Sequence, residues 1–163
     1  MKLSTVLCLG ALAIPSFAFA ATCPGTSWTK PFPGSNTVSG DTCAIGETNS
    51  IATMCGGFVD SPGNDDVYTF TGDGSSVTLN VAPAVTYAVA VQVQSGTCGV
   101  GGTCVNGAAS DTGVAGATQS VTFTTTNATV YFVIINSSAL SGNCGTYNIT
   151  GNLPVKLEKF SVD

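Results

Sequence analysis

The sequence contains no histidine and no arginine, and its four basic residues are all lysines. A serine or cysteine nucleophile is usually activated by a neighbouring imidazole, so neither a Ser-His-Asp nor a Cys-His site can be assembled from this chain. Zinc sites with histidine ligands are excluded for the same reason, and there is no C-x-x-C pair to supply thiolates instead. These absences argue against the commonest hydrolase and zinc sites.

Charge is also scarce, since only 8% of the residues are charged and the formal net charge is −5. Proteins that bind nucleic acid or anionic membranes do so through clustered lysine and arginine. We therefore expect neither nucleic acid nor a charged membrane surface as a partner. The solubility of this chain has to come from its many threonine, serine, asparagine and glycine residues.

Long apolar runs are confined to the first twenty residues. This segment starts with a charged Lys2, continues through "LSTVLCLGALAIPSFAFA" and ends in the small-x-small pattern "AFA". Such a pattern is typical of a secretory signal peptide, and Pro15 interrupts an apolar run that is already short for a membrane anchor. We predict a protein that is secreted or displayed at the cell surface, without stable membrane insertion.

Beyond the predicted signal peptide, the chain has an even number of cysteines: Cys23, Cys43, Cys55, Cys98, Cys104 and Cys144. In an exported chain this indicates three disulfides, and six cysteines allow fifteen pairings. The short intervening loops favour Cys43–Cys55 and Cys98–Cys104. The pair Cys23–Cys144 would then join the N-terminal segment to a late strand.

Apolar and polar residues alternate from residue 66 onward, as in "SVTLNVA", "TYAVAVQVQ", "SVTFTT" and "TYNIT". A period of two residues is typical of half-buried strands. The run "TVYFVII" at 129–135 has apolar residues at both odd- and even-numbered positions, so both faces of a strand would be apolar. This predicts a central strand that is covered on both faces.

Segments rich in glycine, serine and asparagine separate these runs, and the longest is "SGTCGVGGTCVNGAASDTGVAGAT". We predict an all-β fold, an antiparallel β-sandwich or jelly roll stapled by disulfides. The nearest alternative is an immunoglobulin-like domain, but the tryptophan expected between paired cysteines is missing. The predicted organisation is an extended segment at 21–39, the sandwich at 40–152 and a terminal strand or tail at 153–163.

The segment "DSPGNDD" places Asp60, Asn64, Asp65 and Asp66 within seven residues. Carboxylate and amide oxygens suit calcium, although the spacing does not match an EF-hand loop. The alternative is a turn whose side chains cap the beginning of a strand. Adjacent strand residues point to opposite faces, so Asp65 and Asp66 cannot face each other as the carboxylate pair of a glycosidase. We expect no required cofactor, with calcium as the candidate ligand.

The order "DDVYTFTGDGSSVTLNVAP", "YAVAVQVQ", "ATVYFVIINSS" and "CGTYNITG" resembles the bacterial pre-peptidase C-terminal domain over about residues 40–151. The matching positions are Asp66 with Tyr68 and Phe70, followed by the runs at 77–81, 89–93, 130–134 and 147–150. The resemblance implies a compact jelly-roll-like sandwich without catalytic residues of its own. Some similar collagen-binding modules bind calcium at the N-terminal edge of the sandwich. By this resemblance, a calcium site in this chain would lie at Asp65 and Asp66.

These observations predict a secreted, non-catalytic module with a binding or surface-structural role. Its partners would be an extracellular protein, a carbohydrate or copies of itself, with aromatic contacts from Trp28, Tyr68, Tyr87 and Tyr131 where these are exposed. An alternative is a subunit of an extracellular filament or surface layer, which would assemble through the terminal segment "NLPVKLEKFSVD". A small secreted hydrolase is the second, less favoured alternative.

Overall fold

The computed structural model of the protein describes residues 26–27, 37–44, 55, 65–99, 101–109, 114–137 and 144–153. All regular secondary structure in these ranges is β-strand, so none of the described residues forms a helix that could cross a membrane. The strands are β1 (Thr26–Ser27), β2 (Val38–Asp41), β3 (Asp66–Thr71), β4 (Ser76–Pro83), β5 (Val89–Ser95), β6 (Thr103–Ala109), β7 (Gln119–Thr124), β8 (Val130–Ser137) and β9 (Thr146–Gly151).

The described strands form two sheets, one of five strands in the order β1-β3-β8-β5-β6 and one of four in the order β2-β9-β4-β7. Every neighbouring pair is antiparallel except β1 and β3, which run parallel over two residues. The predicted antiparallel β-sandwich is confirmed. The prediction of a central strand at 129–135 is confirmed as well, because β8 lies in the middle of the larger sheet.

The core lies between the sheets and is built from alternate residues of each strand. Val77, Leu79 and Val81 of β4 are fully buried, and they meet Val89, Val91 and Val93 of β5 in one hydrophobic cluster. The pleat of a strand sends successive side chains to opposite faces, so the period read from the sequence is the period of burial. At about 25 cal/mol per Å² of apolar surface, this burial is the main source of stability.

The five-stranded sheet is also buried on its outer face. Val67 and Ile134 form a second small cluster there, and Gln92 and Asn136 are fully buried. Cys55 lies on this face, where its amide N–H donates to Gln92 Oε1 at 3.4 Å. The outer face of the four-stranded sheet, by contrast, is mostly exposed.

Strand β6 was not predicted, because its residues belong to the glycine-rich stretch that was assigned to turns. The sequence "TCVNGAA" has little intrinsic preference for a strand. It nevertheless pairs with β5 from Ala90↔Ala109 to Ser95↔Thr103, with a register shift after Val93. Pairing with a buried neighbour, rather than local propensity, therefore makes β6 a strand.

The predicted disulfide pairing is wrong. The structure joins Cys43 to Cys144 and Cys55 to Cys104, with Cα–Cα distances of 4.9 and 5.3 Å. Cys98 is disulfide-bonded too, with a partner outside the described residues. Neither Cys43–Cys55 nor Cys98–Cys104 can form, because each cysteine accepts one partner, and Cys23–Cys144 is ruled out in the same way.

Strand order explains the observed pairs. Cys43 follows β2 and Cys144 precedes β9, and these two strands are hydrogen-bonded neighbours with Asp41 opposite Thr146. The two cysteines are therefore close in space although they are 101 residues apart in sequence. Short separation along the chain was the wrong criterion for pairing.

Candidate functional site

The carboxylate of Asp66 lies inside the sandwich, where it joins the two sheets. Asp66 begins β3, as predicted, opposite Ile135 of β8. Its Oδ2 accepts a hydrogen bond from the Tyr68 hydroxyl at 2.9 Å and another from the Tyr147 hydroxyl of β9. The two phenol oxygens are themselves 2.8 Å apart. Asp66, Tyr68 and Tyr147, here called the Asp–Tyr cluster, thus form one hydrogen-bonded unit across the core.

Gly40 of β2 provides the space for this cluster. It pairs with Tyr147 in the register of β2 and β9. A Cβ atom at position 40 would overlap the Tyr147 hydroxyl and would lie 2.8 Å from Asp66 Oδ2. Any larger residue would push the phenol away from the carboxylate, so the absence of a side chain at this position is part of the geometry.

The environment of the cluster keeps its phenols protonated. Burial raises the pKa of Tyr147, and its hydrogen bond to Asp66 and its close contact with the Tyr68 hydroxyl raise this pKa further. Burial likewise raises the pKa of Tyr68, although the close contact with the Tyr147 hydroxyl offsets part of this effect. Both side chains are therefore hydrogen-bond donors at neutral pH rather than bases. The geometry is that of a hydrogen-bonded network that joins the two sheets.

Asp65 lies next to this cluster and is fully buried. Burial raises the pKa of Tyr87, and the nearby carboxylates of Asp65 and Asp66 raise it further, while the neighbouring Thr42 side chain acts in the opposite direction. The interior near the start of β3 thus holds two consecutive carboxylates. The sequence indicated a turn or strand cap here and gave no sign that both side chains are buried.

The calcium site predicted from four residues is only partly described. Asp60 and Asn64 lie outside the described residues, and Asp66 Oδ2 already accepts two phenol hydrogen bonds. Within the described ranges, no group of three or more His, Cys, Asp or Glu side chains is arranged to hold a metal ion. Calcium binding by Asp60, Asn64, Asp65 and Asp66 therefore stays a prediction.

The aromatic contact residues predicted for the surface are wrong where they are described. Tyr68, Tyr87 and Tyr131 are 7%, 0% and 3% exposed. Tyr131 stacks on Phe70 with a centroid distance of 5.3 Å, and its hydroxyl accepts the Thr126 N–H at 2.7 Å. Tyr68 and Tyr131 take inward positions of the strand alternation, and Tyr87, just before β5, also packs into the core. Trp28 lies outside the described residues.

The exposed polar surface lies instead on the outer face of the four-stranded sheet. We call its central part the hydroxyl face, and it consists of Thr78, Asn80, Ser120, Thr122, Asn148 and Thr150. Thr78 and Thr122 stand opposite each other with their hydroxyl oxygens 2.9 Å apart. At the edge strand, Ser39 Oγ donates to Asn148 Oδ1 at 2.7 Å.

Sequence reasoning missed the roles of Gly40, Tyr147 and Asn136. A signal existed for Tyr147, because it shares the inward parity of Ile149 and a buried tyrosine hydroxyl needs a polar partner. Nothing in the sequence marks Gly40, because its role depends on β2 lying beside β9. The same is true of Asn136, whose amide is fully buried and has no hydrogen-bond partner for either side-chain atom among the described residues.

Comparison with solved structures identifies a protein of similar fold. This neighbour is CorA, a surface-associated copper-binding protein important for copper acquisition in Methylomicrobium album BG8, with a TM-score of 0.52 and 11% identity over 82% of this chain and 99% of that chain. The sugar-binding C-terminal domain of EclA has a TM-score of 0.37 and 14% identity over 72% of this chain and 79% of that one. No family model matches the sequence, and no curated protein matches it. The likeness to CorA concerns the fold alone.

Proposed function

We propose that this protein is a secreted, non-catalytic β-sandwich module that binds a partner outside the cell or at its surface. The observation that carries the proposal is the state of Asp66, whose Oδ2 is held by the hydroxyls of Tyr68 and Tyr147 inside the core. A carboxylate that accepts two buried phenol hydrogen bonds contributes to stability and has no free path to a substrate. The chain also lacks histidine altogether.

Two further observations support an extracellular role. Disulfides persist in oxidising compartments, and all five described cysteines are disulfide-bonded. The similar fold of CorA occurs in a surface-associated protein. The resemblance to pre-peptidase C-terminal domains, which matches Asp66, Tyr68 and Phe70, supports the same proposal, because modules of that kind carry no catalytic residues.

Copper is not part of the proposal, although CorA binds it. Copper is held in proteins mainly by imidazole and by thiolate or thioether sulfur. This chain has no histidine, and its described cysteines are oxidised. A different ligand is required, and the partner classes that suit the exposed polar surface are extracellular proteins and carbohydrates.

The proposal is tested by measuring turnover and surface binding with the same purified protein. We expect no hydrolysis of peptide, ester or glycoside substrates with or without calcium, and we expect fluorescently labelled protein to be retained on extracellular material from the source. Turnover that is lost in Asp65→Asn or Asp66→Asn would overturn the proposal. So would a complete lack of retention on extracellular material.

A second candidate is an assembly subunit, which is favoured by the edge of the larger sheet. Among the described strands, β3 spans six residues and β1 pairs with only two of them, Tyr68 and Thr69. An open strand edge is a template for another strand. Deleting residues 154–163, which keeps the buried Leu153 of the core, should abolish filaments in electron micrographs and leave the circular dichroism spectrum unchanged. Loss of the fold, or filaments that persist, would count against assembly through this segment.

A further inference from the structure

Cys98 is the one described cysteine whose disulfide partner lies outside the described residues. The chain has seven cysteines, and four of them pair with one another in the two disulfides given above. Each cysteine accepts one partner, so the count leaves Cys8 and Cys23 as the candidates for the bond to Cys98.

The predicted signal peptide separates these two candidates. Cys8 lies within it, ahead of the "AFA" pattern, and a cysteine in a cleaved leader leaves with that leader. Disulfides persist in the oxidising compartment that the chain reaches on export. We infer that Cys98 and Cys23 form a third disulfide, and that this bond clamps strand β1 to the edge of the larger sheet.

The position of Cys98 suits a partner near β3. It lies in the turn between β5 and β6, and it packs against Val67 and Ile134 on the outer face of the larger sheet. The N–H of Gly99 donates to Oε1 of the buried Gln94 at 2.8 Å, which holds the turn against this face. Cys98 therefore contacts a residue of β3, although β8 separates β3 from β5 in the sheet.

Strand β1 brings the N-terminal segment to the same part of the sheet. Thr26 pairs with Tyr68, the residue that follows Val67. Cys23 precedes Thr26 by three residues, and three extended residues span about 10 Å. Neighbouring strands are about 4.8 Å apart, so this length is sufficient for Cys23 to reach the outer side of Val67, where Cys98 packs.

A cross-link at this position accounts for so short a strand. β1 pairs with β3 over two residues, in the parallel arrangement that is slightly less stable per residue than the antiparallel one. A covalent bond three residues away keeps β1 at a high effective concentration beside β3. The clamp thereby covers the edge of β3 at Tyr68 and Thr69, and a covered edge is not a template for the strand of another molecule.

Peptide mapping of the secreted protein without reduction tests the pairing. Thermolysin cleaves before valine, and a cut at Val100 separates Cys98 from Cys104. We expect a linked pair of peptides that contain Cys23 and Cys98, and we expect this pair to disappear on reduction. A free thiol at Cys98, or a bond from Cys98 to any other cysteine of this chain or of a second copy, would overturn the inference.

Two matched double variants test the clamp itself by hydrogen exchange. Cys23→Ala/Cys98→Ala should raise the exchange of the β3 amides that point away from β8 about tenfold or more, because β1 is no longer held there. The control Cys43→Ala/Cys144→Ala removes a disulfide of the smaller sheet and should raise exchange at these amides less. Equal exchange in the two variants would refute the clamp. The peptide map uses the wild-type protein, so it decides the pairing even where circular dichroism shows a variant to be unfolded.

Discussion

The outer faces of the two sheets differ in solvent exposure. In the five-stranded sheet, Gln92, Ile134 and Asn136 are fully buried on the outer side. In the four-stranded sheet, the corresponding positions are exposed, as at Thr122 and Asn148. The first sheet is therefore an interior layer, and the second presents an exposed polar surface. The difference teaches that polar residues in strands of similar alternation need not have similar exposure.

The largest expected effect concerns the two described disulfides, one at each sheet. Replacing Cys43 and Cys144 by alanine removes a cross-link between residues 101 positions apart in sequence. Replacing Cys55 and Cys104 removes one between residues 49 positions apart. We expect each change to lower the free energy of unfolding by about 4–5 kcal/mol in urea titrations, since the chain-entropy term grows only slowly with loop length.

Hydrogen exchange should separate these two disulfide variants. Removing Cys55–Cys104 releases Cys55 from the outer face of β5, so amide exchange in β5 and β6 should rise strongly. Removing Cys43–Cys144 should act mainly on β2 and β9. Similar exchange patterns in both variants would contradict the distinction between the sheets.

Alkaline pH should lower the stability of the fold strongly, because several tyrosines are buried between the sheets. Burial raises the pKa of Tyr68, Tyr87 and Tyr147 above the usual value of 10.0, so these phenols stay protonated when folded. The unfolded chain ionises near pH 10, so stability is fully present below that pH and falls above it. The free energy of unfolding falls by at most about 1.4 kcal/mol per pH unit for each tyrosine. For the three tyrosines together, the loss reaches about 4 kcal/mol at pH 11.

Urea titrations between pH 8 and 11 measure this slope. The variant Tyr87→Phe removes one of the three phenols and should reduce the slope by about a third. A stability that is independent of pH up to 11 would show that the phenols ionise as easily in the folded protein as in the unfolded chain.

Truncation of one residue on each outer face tests the comparison directly. We expect Ile134→Ala to lower the free energy of unfolding by about 2–5 kcal/mol, because it leaves a cavity in a buried layer. Thr122→Ala, on the exposed face, should change it by less than about 0.5 kcal/mol. Equal losses for the two variants, measured by urea unfolding, would mean that the outer faces do not differ in burial.

The Asp–Tyr cluster predicts an intermediate effect. Tyr147→Phe removes one of the two phenol donors to Asp66 Oδ2, which should cost about 1–3 kcal/mol because a buried acceptor loses a partner. Gly40→Ala should cost a similar amount by displacing the same hydroxyl. In the double variant the two losses should not add, because both act on one hydrogen bond. Full additivity would contradict this account of Gly40.

The smallest expected effect is a gain. Asn136 is buried on the outer face of the larger sheet, and within the described part of the chain neither of its side-chain polar atoms has a hydrogen-bond partner. Asn136→Leu keeps a similar branched shape and removes the desolvation cost, so we expect about 1 kcal/mol of added stability in urea unfolding. Asn148→Ala on the exposed face should give no such gain. A loss on Asn136→Leu would show that the amide is needed.

Much of the fold could be predicted from alternation alone. The runs that contain Val77, Val121 and Ile149 became strands at the expected places because a strand repeats every two residues and one side must be buried. The candidate site was less predictable. Asp66 was correctly placed at the start of a strand, but its partner Tyr147 is 81 residues away. No pattern within a short segment of sequence indicates a contact between residues of different sheets.

The amino-acid sequence by itself determined the strand pattern, the lack of imidazole chemistry and the low charge, because these depend on composition and on neighbours along the chain. Only the tertiary structure decided which cysteines pair, that the tyrosines face inward, that "TCVNGAA" is a strand and which outer face is free. Each of these depends on which strands become neighbours. That choice is made by the joint burial of the whole chain, and no short segment contains it.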